Sequence, residues 1–165
     1  MKIEIKKATK KDKDTLLILR YLLRKYENNV ENREGISIKK ILEDKGEIED
    51  GLNSSKVSFF IAYYKNIPVG YTKLKIKRIL GEVMGHVGGF FILDKFRNKG
   101  LGKKLMKSLV NILKKKKIKK ISVEVYKKNK IGIKVYKKLG FKISKYDPNS
   151  KISYKKIYRL EKNLK

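Results

Sequence analysis

The chain has no cysteine, only two prolines and a single histidine, His86, among its 165 residues. Without thiols there is neither a disulfide framework nor a thiolate metal site, and one histidine is too few for the usual histidine-based zinc centre. Long apolar runs are missing as well. Runs such as Leu16 to Leu19 fall far short of the roughly 20 residues that cross a bilayer. The opening stretch, MKIEIKKATKKDKD, lacks the apolar core of a signal peptide. These absences point to a soluble cytoplasmic protein with no membrane role and no metal. The length and a hydrophobic content of 41% suit one globular domain over residues 1–165.

Negative charge is scarce. Sixteen Asp and Glu face 45 Lys and Arg, a net charge of +29. Such an excess raises a nucleic-acid or other polyanion partner. Coding bias is the plainer origin, because Lys far outnumbers Arg, Ile is abundant and Ala occurs twice, as in a chain from an AT-rich genome. Nucleic-acid sites favour the bidentate guanidinium of Arg, whereas this charge is mostly Lys spread along the whole chain. Weak, salt-sensitive attraction to any polyanion follows from it. Phe59, Phe60 and Tyr63, which a nucleic-acid reading would use for stacking, lie in a strand pattern and are expected in the core.

Glycine is placed unevenly. Six of the twelve glycines fall between Gly81 and Gly102. Around them the pattern resolves into elements. KIEIKKA alternates as a first strand, and Thr9 to Asp12 forms a capping-box pattern opening a helix through TLLILRYLLRKYE. ENNVENREG is a polar break, after which Ser37 caps a short helix, IKKILED. VSFFIAYY, VGYTKLKIK and VMGHVGGFFIL are three strands, the last with a Gly88–Gly89 pair that suggests a bulge or a close approach. From Gly100 the period becomes helical, with Leu101, Leu105, Leu109, Ile112 and Leu113 on one face. ISVEVY is a strand. Asn129 caps and Gly140 ends a further helix, and FKISKY, DPNS and KISYKKIYRLEK close the chain as a hairpin. The order β-α-α-β-β-β-α-β-α-β-β predicts an α/β fold.

Gly is the least favourable helix residue after proline, yet two glycines flank Leu101 where the third predicted helix starts. A strand, a loop with Gly100 and Gly102, and a helix N-terminus make an anion site, since free N–H groups and a positive dipole end face outward and bare backbone admits a phosphate. Arg97, Lys103 and Lys104 add charge. The Walker pattern is missing, and Leu105 stands where a dinucleotide fingerprint needs its third small residue.

The loop and the order of elements together resemble the GNAT family of N-acetyltransferases. Its pyrophosphate loop, Arg/Gln-x-x-Gly-x-Gly/Ala, is met by Arg97, Gly100 and Gly102. Its second signature, an Asn seven residues before a Tyr and ending in Leu-Gly-Phe, is met by Asn129, Tyr136, Leu139, Gly140 and Phe141. Gly132 and Ile133 depart from the small alanines common in the family. The resemblance implies a mixed, mostly antiparallel sheet of about seven strands flanked by about four helices. It also implies acetyl-CoA as co-substrate, held where the fourth and fifth strands part. Phe90, Phe91 and Ile92 would pair through their backbone with the pantetheine arm, and Arg97, Asn98, Lys99, Gly100, Leu101, Gly102 and Lys103 would wrap the pyrophosphate. Asn129 and Tyr136 would hold the thiol end. The implied function is transfer of acetyl to a primary amine, a protein N-terminus or a small molecule, by direct attack in a ternary complex. The alternative is a polyanion binder on an inactive form of the same fold.

Acetyl transfer needs a neutral amine, a polarised carbonyl and a proton for the departing thiolate. The family match gives Tyr136 the acid role. Glu124 is the candidate base, because a carboxylate mid-strand, opposite the face of Ile121, Val123 and Val125, is unusual. In family members that acetylate protein N-termini, a glutamate five residues before the Asn serves as base. Its plainer reading is a carboxylate paired with a lysine. Glu82 and His86 are weaker candidates, and a backbone N–H near Ile92 would face the oxyanion. The acidic stretch from Glu43 to Asp50 is either a mouth for a cationic acceptor or a solvated loop. The chain is expected to act as a monomer or homodimer.

Overall fold

The structure, a computed structural model, describes residues 3–144 and 156–164. The elements are β1 (Ile3–Lys7), α1 (Lys13–Glu31), α2 (Ile38–Asn53), β2 (Val57–Tyr64), β3 (Ile67–Ile79), β4 (Glu82–Ile92), α3 (Leu101–Lys115), β5 (Lys120–Tyr126), α4 (Lys130–Lys138), β6 (Lys142–Ile143) and β7 (Ile157–Asn163). They build one sheet of seven strands in the order β1-β2-β3-β4-β5-β7-β6. Every neighbouring pair is antiparallel except β4 and β5. This is the expected α/β architecture with four α-helices and mixed strand directions.

Alternation along the strands divides the core between the two sheet faces. On one face the apolar stripe of α3 (Leu101, Leu105, Leu109, Leu113) packs on Phe60, Leu74, Val87, Ile121, Val123 and Leu160. On the other, Leu16, Leu19 and Leu23 of α1 and Ile48 of α2 cover Phe59, Ile61, Tyr71 and Phe91. Phe59 and Phe60 are therefore buried and offer no stacking platform to a nucleic acid. No described helix is long and apolar enough to cross a membrane.

Two boundaries differ from the sequence reading. α1 continues through the supposed break as far as Glu31, and α2 runs 16 residues, not seven, to Asn53. The acidic stretch Glu43–Asp50 thus lies on a helix rather than in a loop. It is also largely paired. Asp44, 3% exposed, binds Arg20 at 3.2 Å and Arg24 at 2.8 Å, while Glu47 meets Arg20 and Lys73, Glu49 meets Lys13, and Glu43 meets Lys40. Burial alone would raise the Asp44 carboxyl, but hydrogen bonds from Arg24 and the charge of Arg20 hold it below its usual value. An acidic stretch so engaged forms a strut between α1 and α2, not an open mouth. The Thr9–Asp12 pair is present, with the Asp12 carboxylate accepting from the Thr9 N–H at 2.7 Å and its hydroxyl at 2.9 Å. Of the final hairpin, the DPNS turn lies outside the described residues.

Candidate active site

β4 and β5 pair only from Gly85 to Val87 against Ile121 to Val123, and then part. Beyond that point β4 is paired on its β3 side alone, so its backbone groups facing β5 are open to a ligand laid alongside as an added strand. The parting coincides with the expected bulge. Lys73 of β3 faces Gly88, but Tyr71 faces Phe91, so β4 carries one extra residue there. Gly89 takes it up in the left-handed region at φ 62°, where a Cβ would stand 2.5 Å from the Tyr71 hydroxyl. The bulge turns the Phe91 side chain toward α1 and lets Phe90 pack on the α3 side.

After β4 the chain turns through Arg97, Asn98, Lys99 and Gly100 into α3. Asn98 (φ 60°) and Gly100 (φ 77°) are both left-handed, the conformation these two residue types tolerate best. No side chain caps α3, so the N–H groups of Leu101, Gly102 and Lys103 emerge at its positive end without an intrahelical acceptor. A Cβ on Gly102 would meet only the Phe90 ring, at 3.6 Å, an ordinary contact. The packing of the protein itself does not require glycine at this position, and its absence of a side chain leaves the backbone at the start of α3 open. Arg97 is held by Nε donating to the Ile92 carbonyl at 3.0 Å and Nη2 pairing with Asp94 at 2.6 Å.

On the far side of the cleft Asn129 caps α4, its Oδ1 accepting from the Gly132 N–H at 2.8 Å. Two turns on, Tyr136 is 7% exposed, its ring 5.9 Å from Phe90 and 5.7 Å from Phe141. Phe90 thereby touches both ends of the cleft. Burial, and then the nearby charge of Glu27, push the Tyr136 hydroxyl well above its ordinary pKa. The hydroxyl therefore keeps its proton across the neutral range.

Glu124 is half-buried on the sheet face opposite the buried Ile121, Val123 and Val125, directly across from Arg159 of β7. Arg159 turns instead to Glu161, at 3.1 Å, and among the described residues no lysine pairs with Glu124. His86 sits just before the parting, Nδ1 3.1 Å from Ser122 Oγ. Glu82 lies at the other end of β4, paired with Lys120, and is remote from the cleft.

Two residues of α1 belong to this region and were not singled out from the sequence. Tyr26 reaches Asn129 at 3.1 Å. Glu27 pairs loosely with Arg24, at 3.6 Å, and burial raises its carboxyl pKa against the opposing charge of Arg24. The available signal was a second helical stripe, Arg20, Arg24 and Glu27 at i, i+4 and i+7, beside the apolar one. Arg20 donates to the Tyr71 hydroxyl at 3.4 Å, and burial pushes that hydroxyl up to about 12.

Residues 19–141, which span the parted strands, the bulge, the start of α3 and Tyr136, match the acetyltransferase (GNAT) family. The chain belongs to that family and is an acetyl-CoA-dependent N-acetyltransferase. A spermidine N(1)-acetyltransferase of Thermoplasma acidophilum is 28% identical to it, covering 94% of this chain and 98% of its own. The PaiA N-acetyltransferase of Thermoplasma acidophilum, solved in complex with coenzyme A, superposes with a TM-score of 0.75 at 22% identity over 99% of each chain. A GNAT-family acetyltransferase of Staphylococcus aureus gives 0.78 at 22% identity over 99% of this chain and 100% of its own. These two likenesses are of fold.

Proposed function

We propose that the acceptor is a primary amine of a small polyamine, attacked directly while both substrates are bound, with Tyr136 as acid and Glu124 as base. The carrying observation is the continuous path from the uncapped start of α3, along the open edge of β4, to Tyr136. The likeness to a spermidine N(1)-acetyltransferase over nearly the whole chain supports the acceptor class. With most of the 43–50 stretch engaged in ion pairs, and Glu161 and Glu27 paired with Arg159 and Arg24, Glu124 is the carboxylate near the cleft best placed to attract a cation.

Bound acetyl-CoA supplies an acetyl group on a thioester. The N–H groups of Leu101, Gly102 and Lys103 bind its diphosphate, and the β4 edge aligns its arm. Backbone N–H groups from Phe90 to Ile92 face the carbonyl oxygen as charge gathers there. An alkyl ammonium has a pKa of about 10.4, so Glu124 must accept its proton before or during attack. As the C–N bond forms and the C–S bond breaks, the nitrogen sheds its second proton to solvent and the sulfur leaves as a thiolate to which the Tyr136 hydroxyl donates a hydrogen bond. Free thiols titrate near 8.5, and Tyr136 titrates well above that, so its hydrogen bond to the sulfur contributes more than a completed proton transfer. With no cysteine in the chain, an acetyl-enzyme on a thiol is impossible.

Release of CoA measured across spermidine, a peptide N-terminus and an aminoglycoside should give the highest kcat/KM with spermidine. Preference for the peptide would overturn the acceptor assignment.

A second reading gives the base role to Glu27, because its burial raises its basicity and Tyr136 feels its charge. Glu124→Gln and Glu27→Gln separate the two. The base variant should lose rate most at neutral pH and recover part of it as rising pH supplies free amine. A loss equal at every pH in the Glu124 variant would assign that residue to positioning.

A further inference from the structure

Tyr26 touches both halves of the cleft. Its hydroxyl donates to Asn129 Oδ1 at 3.1 Å, and its ring lies under the Arg97 guanidinium, 4.8 Å from centroid to carbon. Arg97 stands in the loop after β4 and Asn129 at the corner after β5, so α1 crosses from one parted strand to the other at this side chain.

The hydrogen bonds also set the chemistry of Asn129. Its Oδ1 already accepts from two donors, the Gly132 N–H at 2.8 Å and the Tyr26 hydroxyl. Both lone pairs of that oxygen are engaged. The amide is thereby fixed, and its Nδ2 group is left as a donor for a carbonyl, the group that an amide-containing arm presents. Arg97 is likewise fixed in three directions, by Ile92, Asp94 and the Tyr26 ring. Stacking on an aromatic face suits the planar guanidinium and leaves its remaining N–H edge free.

We infer that Tyr26 is an acetyl-CoA-positioning residue, closing the cleft over the pantetheine arm by holding Arg97 and Asn129 at a fixed spacing. The inference rests on acetyl-CoA lying in the β4–β5 cleft. Tyr26→Phe keeps the ring and loses one of the two bonds that orient Asn129. Tyr26→Ala loses both contacts.

The test measures acetyl-CoA affinity by calorimetry and KM for both substrates, with adenosine 3′,5′-bisphosphate as a probe that stops short of the arm. Acetyl-CoA affinity should fall roughly 3- to 10-fold in Tyr26→Phe, the worth of about one hydrogen bond, and further in Tyr26→Ala. In Tyr26→Phe, which keeps the ring under Arg97, KM for the amine and affinity for the bisphosphate should stay near wild type. Unchanged or tighter acetyl-CoA binding in Tyr26→Ala would overturn the inference, since the ring would then merely fill the cleft. Equal losses for acetyl-CoA and the bisphosphate in Tyr26→Phe would reduce Tyr26 to general support of the fold. Failure of the wild-type chain to bind acetyl-CoA would instead refute the assignment of the cleft.

Discussion

Tyr136→Phe should bind acetyl-CoA as the wild type does and turn over roughly 10²–10⁴-fold more slowly, the usual worth of one general acid. The substitution removes a hydroxyl and leaves the ring that packs between Phe90 and Phe141. Stability and the acetyl-CoA KM should therefore change little while kcat collapses. The pH profile carries a second expectation. Burial and the charge of Glu27 hold the Tyr136 hydroxyl above its ordinary value, so in the free enzyme this group should impose no basic limb on kcat/KM below about pH 10. Near-wild-type turnover in the variant, with chemistry shown to be rate-limiting, would pass the acid role to water.

Gly102→Val should abolish acetyl-CoA binding and leave the fold in place. At a hundred times its dissociation constant, acetyl-CoA should stabilise the wild-type chain by about 2.7 kcal/mol, visible as a thermal shift. In the variant the shift should vanish while the circular dichroism spectrum is retained. The reasoning is steric. At Gly102 a Cβ alone meets the Phe90 ring at an ordinary 3.6 Å, so Gly102→Ala should fold and still respond. The larger branched side chain stands over the N–H groups at the start of α3, where the diphosphate must lie. A full thermal response from Gly102→Val would place the diphosphate elsewhere.

The strands, the helix order and the turns marked by glycine were legible in the sequence because each rests on a local rule, whereas the parting of β4 and β5 was given only by the resemblance to the family. Alternation marked the strands, the Gly88–Gly89 pair marked the bulge, and Gly100 with Gly102 marked a helix start that something must approach. Asn129 and Gly140 read as cap and stop because those residue types do that work at helix ends. What escaped depends on tertiary context. The extent of α2 was hidden because Glu43 to Asp50 reads as a solvated loop until Arg20 and Arg24 of α1 are set against it. Tyr26 and Glu27 were missed because α1 was read mainly through its apolar stripe. Their role depends on where the helix ends relative to two parted strands, which no local pattern encodes. Whether Glu124 pairs with a lysine or stands clear is likewise decided across the sheet, where Arg159 turns to Glu161.

Direct transfer between two bound substrates is tested most directly by initial rates over a grid of acetyl-CoA and spermidine concentrations. Intersecting reciprocal plots, with one acetylated amine formed per CoA released, are the predicted result. Parallel plots would require an acetyl-enzyme, for which the chain offers no thiol, and would contradict the mechanism.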